Sequence, residues 1–110
     1  MRPGEIGQYD VWVVRPDASG LRRLTQAPPN RSDYNPDWSP HGSRVLFERR
    51  VLEDGDDGDD LYTVSADATR LRRLTDCSGD CWADDEGTWS PDGRKIAFDS
   101  ATGPRAVGHP

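Results

Sequence analysis

Residues 38–47 read Trp-Ser-Pro-His-Gly-Ser-Arg-Val-Leu-Phe, and residues 89–98 repeat this pattern as Trp-Ser-Pro-Asp-Gly-Arg-Lys-Ile-Ala-Phe. In each copy a strand that ends in Trp meets a Pro-Gly turn, and an apolar strand follows. Pro presets φ in the turn, and Gly42 suits the left-handed position after a type I turn, so each copy predicts a hairpin with a G1 bulge. The same hairpin written twice within 110 residues predicts a repeat architecture.

Two further segments recur with the hairpin. Residues 10–14 read Asp-Val-Trp-Val-Val and residues 60–64 read Asp-Leu-Tyr-Thr-Val, while Leu-Arg-Arg-Leu-Thr occurs identically at 21–25 and 71–75. The β-branched and aromatic residues predict strands, and the apolar run in the first segment predicts a strand covered on both faces. The more polar Leu-Arg-Arg-Leu-Thr segments predict short outermost strands. Four short strands in a unit of about 50 residues are typical of a propeller blade.

These motifs resemble the WD-like β-propeller repeats of the TolB type, and they are also similar to the propeller domains of prolyl-oligopeptidase-like serine peptidases. The resemblance rests on the two recurring segments above, on Pro-Asp-Trp-Ser-Pro at 36–40 and on Trp-Ser-Pro-Asp-Gly at 89–93. It covers residues 9–100. The chain departs from the family pattern at His41, which replaces the usual Asp of the turn, and at Arg70, which stands where the first repeat has Gly.

The resemblance implies an all-β fold, a partial β-propeller built from antiparallel four-stranded blades. In the family the four strands of a blade are named A to D from the inside outward, and this chain then reads C-D, A-B-C-D, A-B, or about two blade equivalents. Residues 35–75 form the complete blade in this scheme. Residues 101–110 carry no strand pattern and are expected to be a disordered tail.

A closed propeller needs about four to eight blades, so two blade equivalents leave apolar faces and strand edges uncovered. Two interpretations follow. Either the chain is a fragment of a larger propeller, or copies assemble head to tail, one chain's C-D hairpin completing the next chain's A-B hairpin.

Composition excludes several classes of protein. The formal net charge of −6 argues against non-specific binding of nucleic acid, which needs a basic surface. No apolar run of about 18 residues predicts membrane insertion, and no apolar segment after the first five residues predicts a signal peptide. The TolB-type resemblance nevertheless implies a periplasmic or extracellular location.

Metal and thiol chemistry have few candidates. Residues 49–59 are expected to form a polar loop, and the stretch 54–60 is rich in aspartate. Asp54, Asp56 and Asp60 are the candidate ligands for a hard cation in this stretch. Its spacing departs from the EF-hand pattern, so a solvated loop is the favoured interpretation there and for the acidic residues 84–86. Cys77 and Cys81 are too few for a four-ligand zinc site and are interpreted as free thiols or one local disulfide; a one-residue insertion between the repeats falls in their loop.

Partner binding has three candidate residues. Trp82 is expected in a loop after Cys81 and has no counterpart in the first repeat. Arg72 and Arg73 form one of two arginine pairs expected at a solvated rim with nearby aspartates. The other tryptophans, Trp12, Trp38 and Trp89, are expected to pack between blades.

Catalysis is not expected. The sequence has no Gly-Xaa-Ser-Xaa-Gly motif, no phosphate-binding glycine loop and no dinucleotide fingerprint, and we identify no catalytic residue and no cofactor site. The expected function is therefore a non-enzymatic protein-interaction or scaffold module that binds a protein partner or itself. The alternatives are the substrate-gating propeller of a prolyl-oligopeptidase-like peptidase without its catalytic domain, and a surface that binds metal or carbohydrate.

Overall fold

The computed structural model describes residues 8–52, 58–77 and 81–102, excluding the side chains of Trp82 and Thr102. Eight strands run through these residues: β1 (Trp12–Val13), β2 (Arg22–Arg23), β3 (Arg31–Trp38), β4 (Arg44–Val51), β5 (Asp59–Ser65), β6 (Arg72–Arg73), β7 (Cys81–Trp89) and β8 (Ile96–Thr102). The described residues contain no helix, and therefore none that could cross a membrane. The expected all-β class is confirmed.

The strands form three antiparallel sheets in chain order. The first sheet pairs β1 with β2, the middle sheet has the order β3-β4-β5-β6, and the third pairs β7 with β8. Within each sheet every strand pairs with its neighbour in sequence, so the connections inside a sheet are hairpins of the kind that the repeated pattern predicts. The expected outermost position of the Leu-Arg-Arg-Leu-Thr segments is also confirmed, since β2 and β6 each pair with one strand among the described residues.

The predicted hairpin geometry is confirmed at both copies of the Pro-Gly turn. Gly42 has φ of 73° and its amide donates to the carbonyl of Ser39 at 2.9 Å. Gly93 has φ of 72° and donates to Ser90 at 2.9 Å. Glycine takes this left-handed conformation without a steric cost, which explains why both turns carry it.

The middle sheet lies between the other two. Successive residues of a strand point to opposite faces, so β4 presents Val45 and Phe47 on one face and Leu46 and Glu48 on the other. The first sheet covers the former face, where one buried cluster joins the two sheets: Val11, Leu24, Val45, Phe47 and Val64. On the opposite face β7 approaches so closely that a Cβ added at Gly87 would lie 2.9 Å from Cδ2 of Leu46.

Several predicted boundaries and burials are wrong. The polar loop expected from residue 49 begins later, because β4 continues to Val51, and β8 reaches Thr102, two residues into the expected tail. Residues 103–110 lie outside the described part. The run at 11–14 is not covered on both faces, because Val11 is buried while Val14 is 55% exposed. Trp12 and Trp38, expected to be packed between blades, are 52% and 50% exposed.

A buried ion pair fastens β3 to β4. Asp33 and Arg49 face each other in the register, and the guanidinium donates from Nε to Oδ1 at 2.7 Å and from Nη2 to Oδ2 at 3.0 Å. Asp33 is fully buried, and Arg49 lies over the Tyr62 ring at 4.7 Å. A bidentate arginine fork satisfies both carboxylate oxygens, which is the condition under which a buried charge is tolerated.

Replacing Gly87 should disturb the contact between the middle and third sheets. Leu46 and Leu61 are each 1% exposed and have no free space to move into, so Gly87→Val is expected to lower the free energy of unfolding by about 1–3 kcal/mol. Urea unfolding followed by tryptophan fluorescence measures this. The matched control is Thr88→Val, an exposed neighbour in β7, which should change stability little. Equal effects of both variants would contradict the packing.

Removing one partner of the buried pair should cost more than removing both. Arg49→Leu leaves the Asp33 carboxylate buried without its cation, and we expect a loss of about 3–5 kcal/mol. The double variant Asp33→Val with Arg49→Leu should recover most of this loss, because two apolar groups leave no unpaired charge. The same unfolding measurement tests both, and a double variant as unstable as the single one would refute the explanation.

Candidate functional site

Three carboxylates meet at the junction of the middle and third sheets. Glu48 comes from β4, Asp59 from β5 and Asp85 from β7, and one oxygen of each lies within 4.8 Å of the others. Glu48 and Asp59 are 3% and 1% exposed. We call these three residues the junction carboxylates.

Glu48 connects the two sheets through paired β-bulges. The register of β3 shifts between Tyr34 and Asp37, and Asn35 takes φ of 55° there. At the position 51 residues later, Glu86 also has φ of 55° within a bulge of β7. Oε2 of Glu48 accepts from Nδ2 of Asn35 at 3.1 Å and from the backbone amide of Glu86 at 2.9 Å. One carboxylate therefore holds both bulges.

Asp59 is engaged by a cation and a phenol. Arg50 donates to its two oxygens at 2.8 and 3.3 Å, and the hydroxyl of Tyr34 donates to Oδ2 at 2.7 Å. Burial and the adjacent Asp59 carboxylate raise the pKa of Tyr34, so this phenol stays protonated and remains a donor. The guanidinium and the phenol offset the charge of a carboxylate that is buried almost completely.

Burial dominates the protonation of the other two junction carboxylates. It raises the pKa of Glu48, although the Glu86 amide and Asn35 act in the opposite direction. Burial and the charges of Asp59 and Asp99 raise the pKa of Asp85. Three carboxylates at this spacing match what a hard cation binds, but oxygens of Glu48 and Asp59 already accept protein hydrogen bonds. The cluster is therefore suited to joining the sheets and to taking up protons.

An arginine-lined pocket occupies the opposite end of the middle sheet. It has a volume of about 320 Å³ and is lined by Ser43, Arg44, Thr63, Ser65, Arg70 and Arg72. Its lining has three cations and three hydroxyl groups but no carboxylate among the described residues. Arg44 also lies over the Trp89 ring at 5.0 Å. In a chain of net charge −6 this pocket is a local site of positive potential that favours an acidic or carbonyl-bearing group.

The predicted site residues separate in the structure. Arg72 lines the arginine pocket, whereas Arg73 is bound to Asp60 at 2.6 Å and to Asp76 at 3.1 Å, as expected for a rim of ion pairs. Asp60 also accepts from the Cys77 amide, so its carboxylate has a structural role in the described part of the chain. Asp54 and Asp56 lie outside the described residues.

Three predictions around the cysteines have different outcomes. Cys77 and Cys81 form a disulfide, which is one of the two interpretations left open. Trp82 belongs to strand β7, so its expected position in a loop is wrong, and its side chain is outside the described part. Residues 84–86 also belong to β7, and Asp84 is 5% exposed, so the expected solvated acidic loop is wrong as well.

The junction carboxylates were missed because their partners are distant in sequence. Glu48 meets Glu86 across 38 residues, and no local motif marks this contact. A signal does exist in the repeat: an offset of 51 relates Asn35 to Glu86 and Glu48 to Asp99, so polar side chains recur at equivalent positions of the β3–β4 and β7–β8 hairpins. A polar residue that recurs at one position of a strand pattern indicates a contact that must be satisfied.

Comparison with known proteins adds one relative. The chain is 30% identical over 96 residues to the uncharacterized protein Atu1656 of Agrobacterium fabrum (strain C58), and the match covers 84% of this chain and 32% of that protein. The chain thus spans about a third of the relative's length. No protein-family model and no solved structure matches.

The junction carboxylates should make stability depend on pH. A carboxyl whose pKa is raised on folding binds its proton more tightly in the folded state, so stability increases as the pH falls from 7 towards 5. Glu48→Gln, which keeps an acceptor for the Glu86 amide, should flatten this increase. Urea unfolding at a series of pH values measures it. The control Asp92→Asn removes a carboxyl whose pKa is lowered by Ser90, which titrates below this window, and should retain the slope. Identical slopes for wild type and Glu48→Gln would contradict the role of burial.

Proposed function

We propose that this chain is part of a TolB-type β-propeller and acts as a non-enzymatic protein-interaction module. The observation that carries this proposal is the stack of three sheets in which the same repeat supplies each layer. The first sheet covers one face of the middle sheet and β7 covers the other, as adjacent blades do in a propeller. The strand groups of two, four and two correspond to C-D, A-B-C-D and A-B.

The length of the relative supports a multi-blade assembly. Its 96 matched residues are 32% of the whole, so it has about 300 residues, or room for about six repeats of the 50-residue unit. Six lies within the range of about four to eight blades that closes a propeller. The fragment interpretation and the assembly of copies both remain compatible with this number.

The chemistry of the described residues favours binding over catalysis. Glu48 and Asp59 are engaged in hydrogen bonds that join strands, and His41 lies exposed in a turn with no nucleophile hydrogen-bonded to it. The surface instead offers half-exposed Trp12 and Trp38 and the arginine pocket. Aromatic and arginine side chains are the residues that dominate protein interfaces.

Peptide selection tests the function directly. A random-peptide display library selected against the immobilised chain should yield ligands that bind in solution. Trp82→Ala should weaken their binding about tenfold, because aromatic side chains commonly anchor such contacts. Thr88→Ala in the same strand is the control and should leave the affinity unchanged.

Enzyme assays provide the opposing result. The folded chain should show no turnover of chromogenic ester, peptide or phosphate substrates above buffer. A turnover that is lost when the chain is unfolded would overturn the proposal, as would a selection that returns no ligand.

A further inference from the structure

The first and third sheets each have an open edge. Within the described residues β1 pairs with β2 alone and β8 with β7 alone. Their equivalents in the middle sheet, β5 and β4, pair with each other over seven residue pairs. The pairing of β4 with β5 in the middle sheet is therefore a complete template for a pairing of β8 with β1.

The template fixes the register. In the middle sheet Phe47 faces Tyr62, with ring centroids 5.7 Å apart. The equivalent of Phe47 in β8 is Phe98, 51 residues later, and the equivalent of Tyr62 in β1 is Trp12, 50 residues earlier, so the equivalent pair is Phe98 facing Trp12. The same offsets convert Val45 facing Val64 into Ile96 facing Val14. Phe47 is fully buried, whereas Phe98 is 43% exposed and lacks this cross-strand neighbour among the described residues.

We propose that β8 of one copy pairs antiparallel with β1 of a second copy, with Phe98 opposite Trp12 and Ile96 opposite Val14, so that the two short sheets join into a four-stranded sheet like the middle one. This pairing satisfies open backbone groups and covers three exposed apolar side chains, Phe98, Trp12 and Val14, together with the half-buried Ile96. It rests on the blade arrangement of the proposed function but not on which partner that function serves.

The arginine pocket has a counterpart on the second copy. Within the chain, Arg22 of the first sheet donates to the carbonyl of Ala66 in the β5–β6 turn of the next sheet. The offset of 50 converts this contact into Arg72 donating to the carbonyl of Pro16 of the second copy. Asp17 follows Pro16 and is exposed, so the incoming turn brings a negative charge towards a pocket with three arginines.

Two further contacts between sheets transfer in the same way. Trp89 donates from Nε1 to the carbonyl of Asp37 in the preceding sheet at 3.2 Å. The equivalent half-exposed Trp38 then donates to the carbonyl of Thr88 of the preceding copy. The clamp between Glu48 and the Glu86 amide becomes Asp99 accepting from the Asn35 amide of the following copy.

One transferred pair is unfavourable. Arg44 faces Ser65 in the template, and the offsets place Lys95 opposite Arg15 of the second copy. Like charges opposite each other oppose pairing, but the Arg15 guanidinium lies against Gly20 in the β1–β2 turn. The pair lies at the end of the register, where side chains are most easily displaced into solvent.

The number of copies in the assembly is limited by the number of blades. Each copy supplies about two blade equivalents, and a closed propeller has about four to eight blades, so a ring contains two, three or four copies. Size-exclusion chromatography with light scattering on the full chain should give one species of two to four times the monomer mass. Phe98→Arg and Arg72→Ala should each shift it towards monomer, while Arg94→Ala, an exposed arginine of the β7–β8 turn, should not. A folded wild-type monomer would overturn the proposal.

A cross-linking experiment tests the register even where a variant assembles weakly. Hydrogen-bonded and non-hydrogen-bonded residue pairs alternate along an antiparallel ladder. The backbone amides of Val51 and Ala66 donate to the carbonyls of Gly58 and Ser43, so these are hydrogen-bonded pairs, and Leu46 opposite Thr63 is a non-hydrogen-bonded pair. Side chains are closest at such sites, and the transferred pair is Ala97 with Val13 of the second copy. The native cysteines are occupied in their disulfide, so introduced thiols are the free ones.

Equal amounts of Ala97→Cys and affinity-tagged Val13→Cys should form a mixed disulfide dimer on mild oxidation. The control mixture of Arg94→Cys with tagged Val13→Cys places one thiol in the β7–β8 turn, outside the paired residues, and should form several times less. Equal yields in both mixtures, or no mixed dimer in either, would refute the pairing. Neither result alters the outcome of the peptide selection, so this proposal and the proposed function fail separately.

Discussion

The middle sheet has two faces that must both be covered, and the rest of the structure depends on this constraint. Phe47 and Val45 on one face and Leu46 and Leu61 on the other are nearly or fully buried, which a single four-stranded sheet cannot achieve alone. Only 33% of the chain is apolar, too little for one thick core. Thin sheets that cover each other use this supply economically, because every central strand contributes to two interfaces. The cost is that each outer sheet has one face and one edge without a described partner.

Polar contacts then decide how the layers are aligned, because apolar packing alone tolerates sliding. The Asp33–Arg49 pair fixes β3 against β4, while Glu48 fixes β4 against the bulge of β7. The third sheet does not repeat the Asp33–Arg49 ion pair of the middle sheet. Ser100 stands where Arg49 would recur, and its hydroxyl donates to Asp84, the equivalent of Asp33. A hydroxyl satisfies one carboxylate oxygen without neutralising its charge, so the aspartate position is retained while its cation is not.

The sequence allowed the local geometry to be predicted and left the long-range contacts open. The Pro-Gly hairpins, the outer strands and the antiparallel class follow from turn chemistry and strand propensity, which act over a few residues. The extension of β4 to Val51 could not be predicted from its polar composition. Arg49 and Arg50 are stabilised in the strand by ion pairs with Asp33 and Asp59, and these contacts are not visible in the local sequence. The junction carboxylates depend on contacts across 25 to 38 residues, such as Tyr34 with Asp59 and Glu48 with Glu86. The half-exposure of Trp12 likewise depends on which sheet lies beside it and not on its own strand.

The change of offset from 50 to 51 shows where the repeat tolerates variation. Asp10 and Asp60 are 50 residues apart, whereas Trp38 and Trp89 are 51 apart, and the register shift between Cys81 and Ala83 places the extra residue at Trp82, inside β7. The disulfide between Cys77 and Cys81 closes the segment that leads into this bulge over a separation of four residues. Asp60 accepts from the Cys77 amide and Asp84 follows Cys81 by three residues, so the disulfide connects the end of one sheet to the beginning of the next. The insertion expected in the cysteine loop is therefore absorbed by a bulge at the start of β7, and every equivalence beyond it, from Asn35 and Glu86 to Phe47 and Phe98, keeps its place.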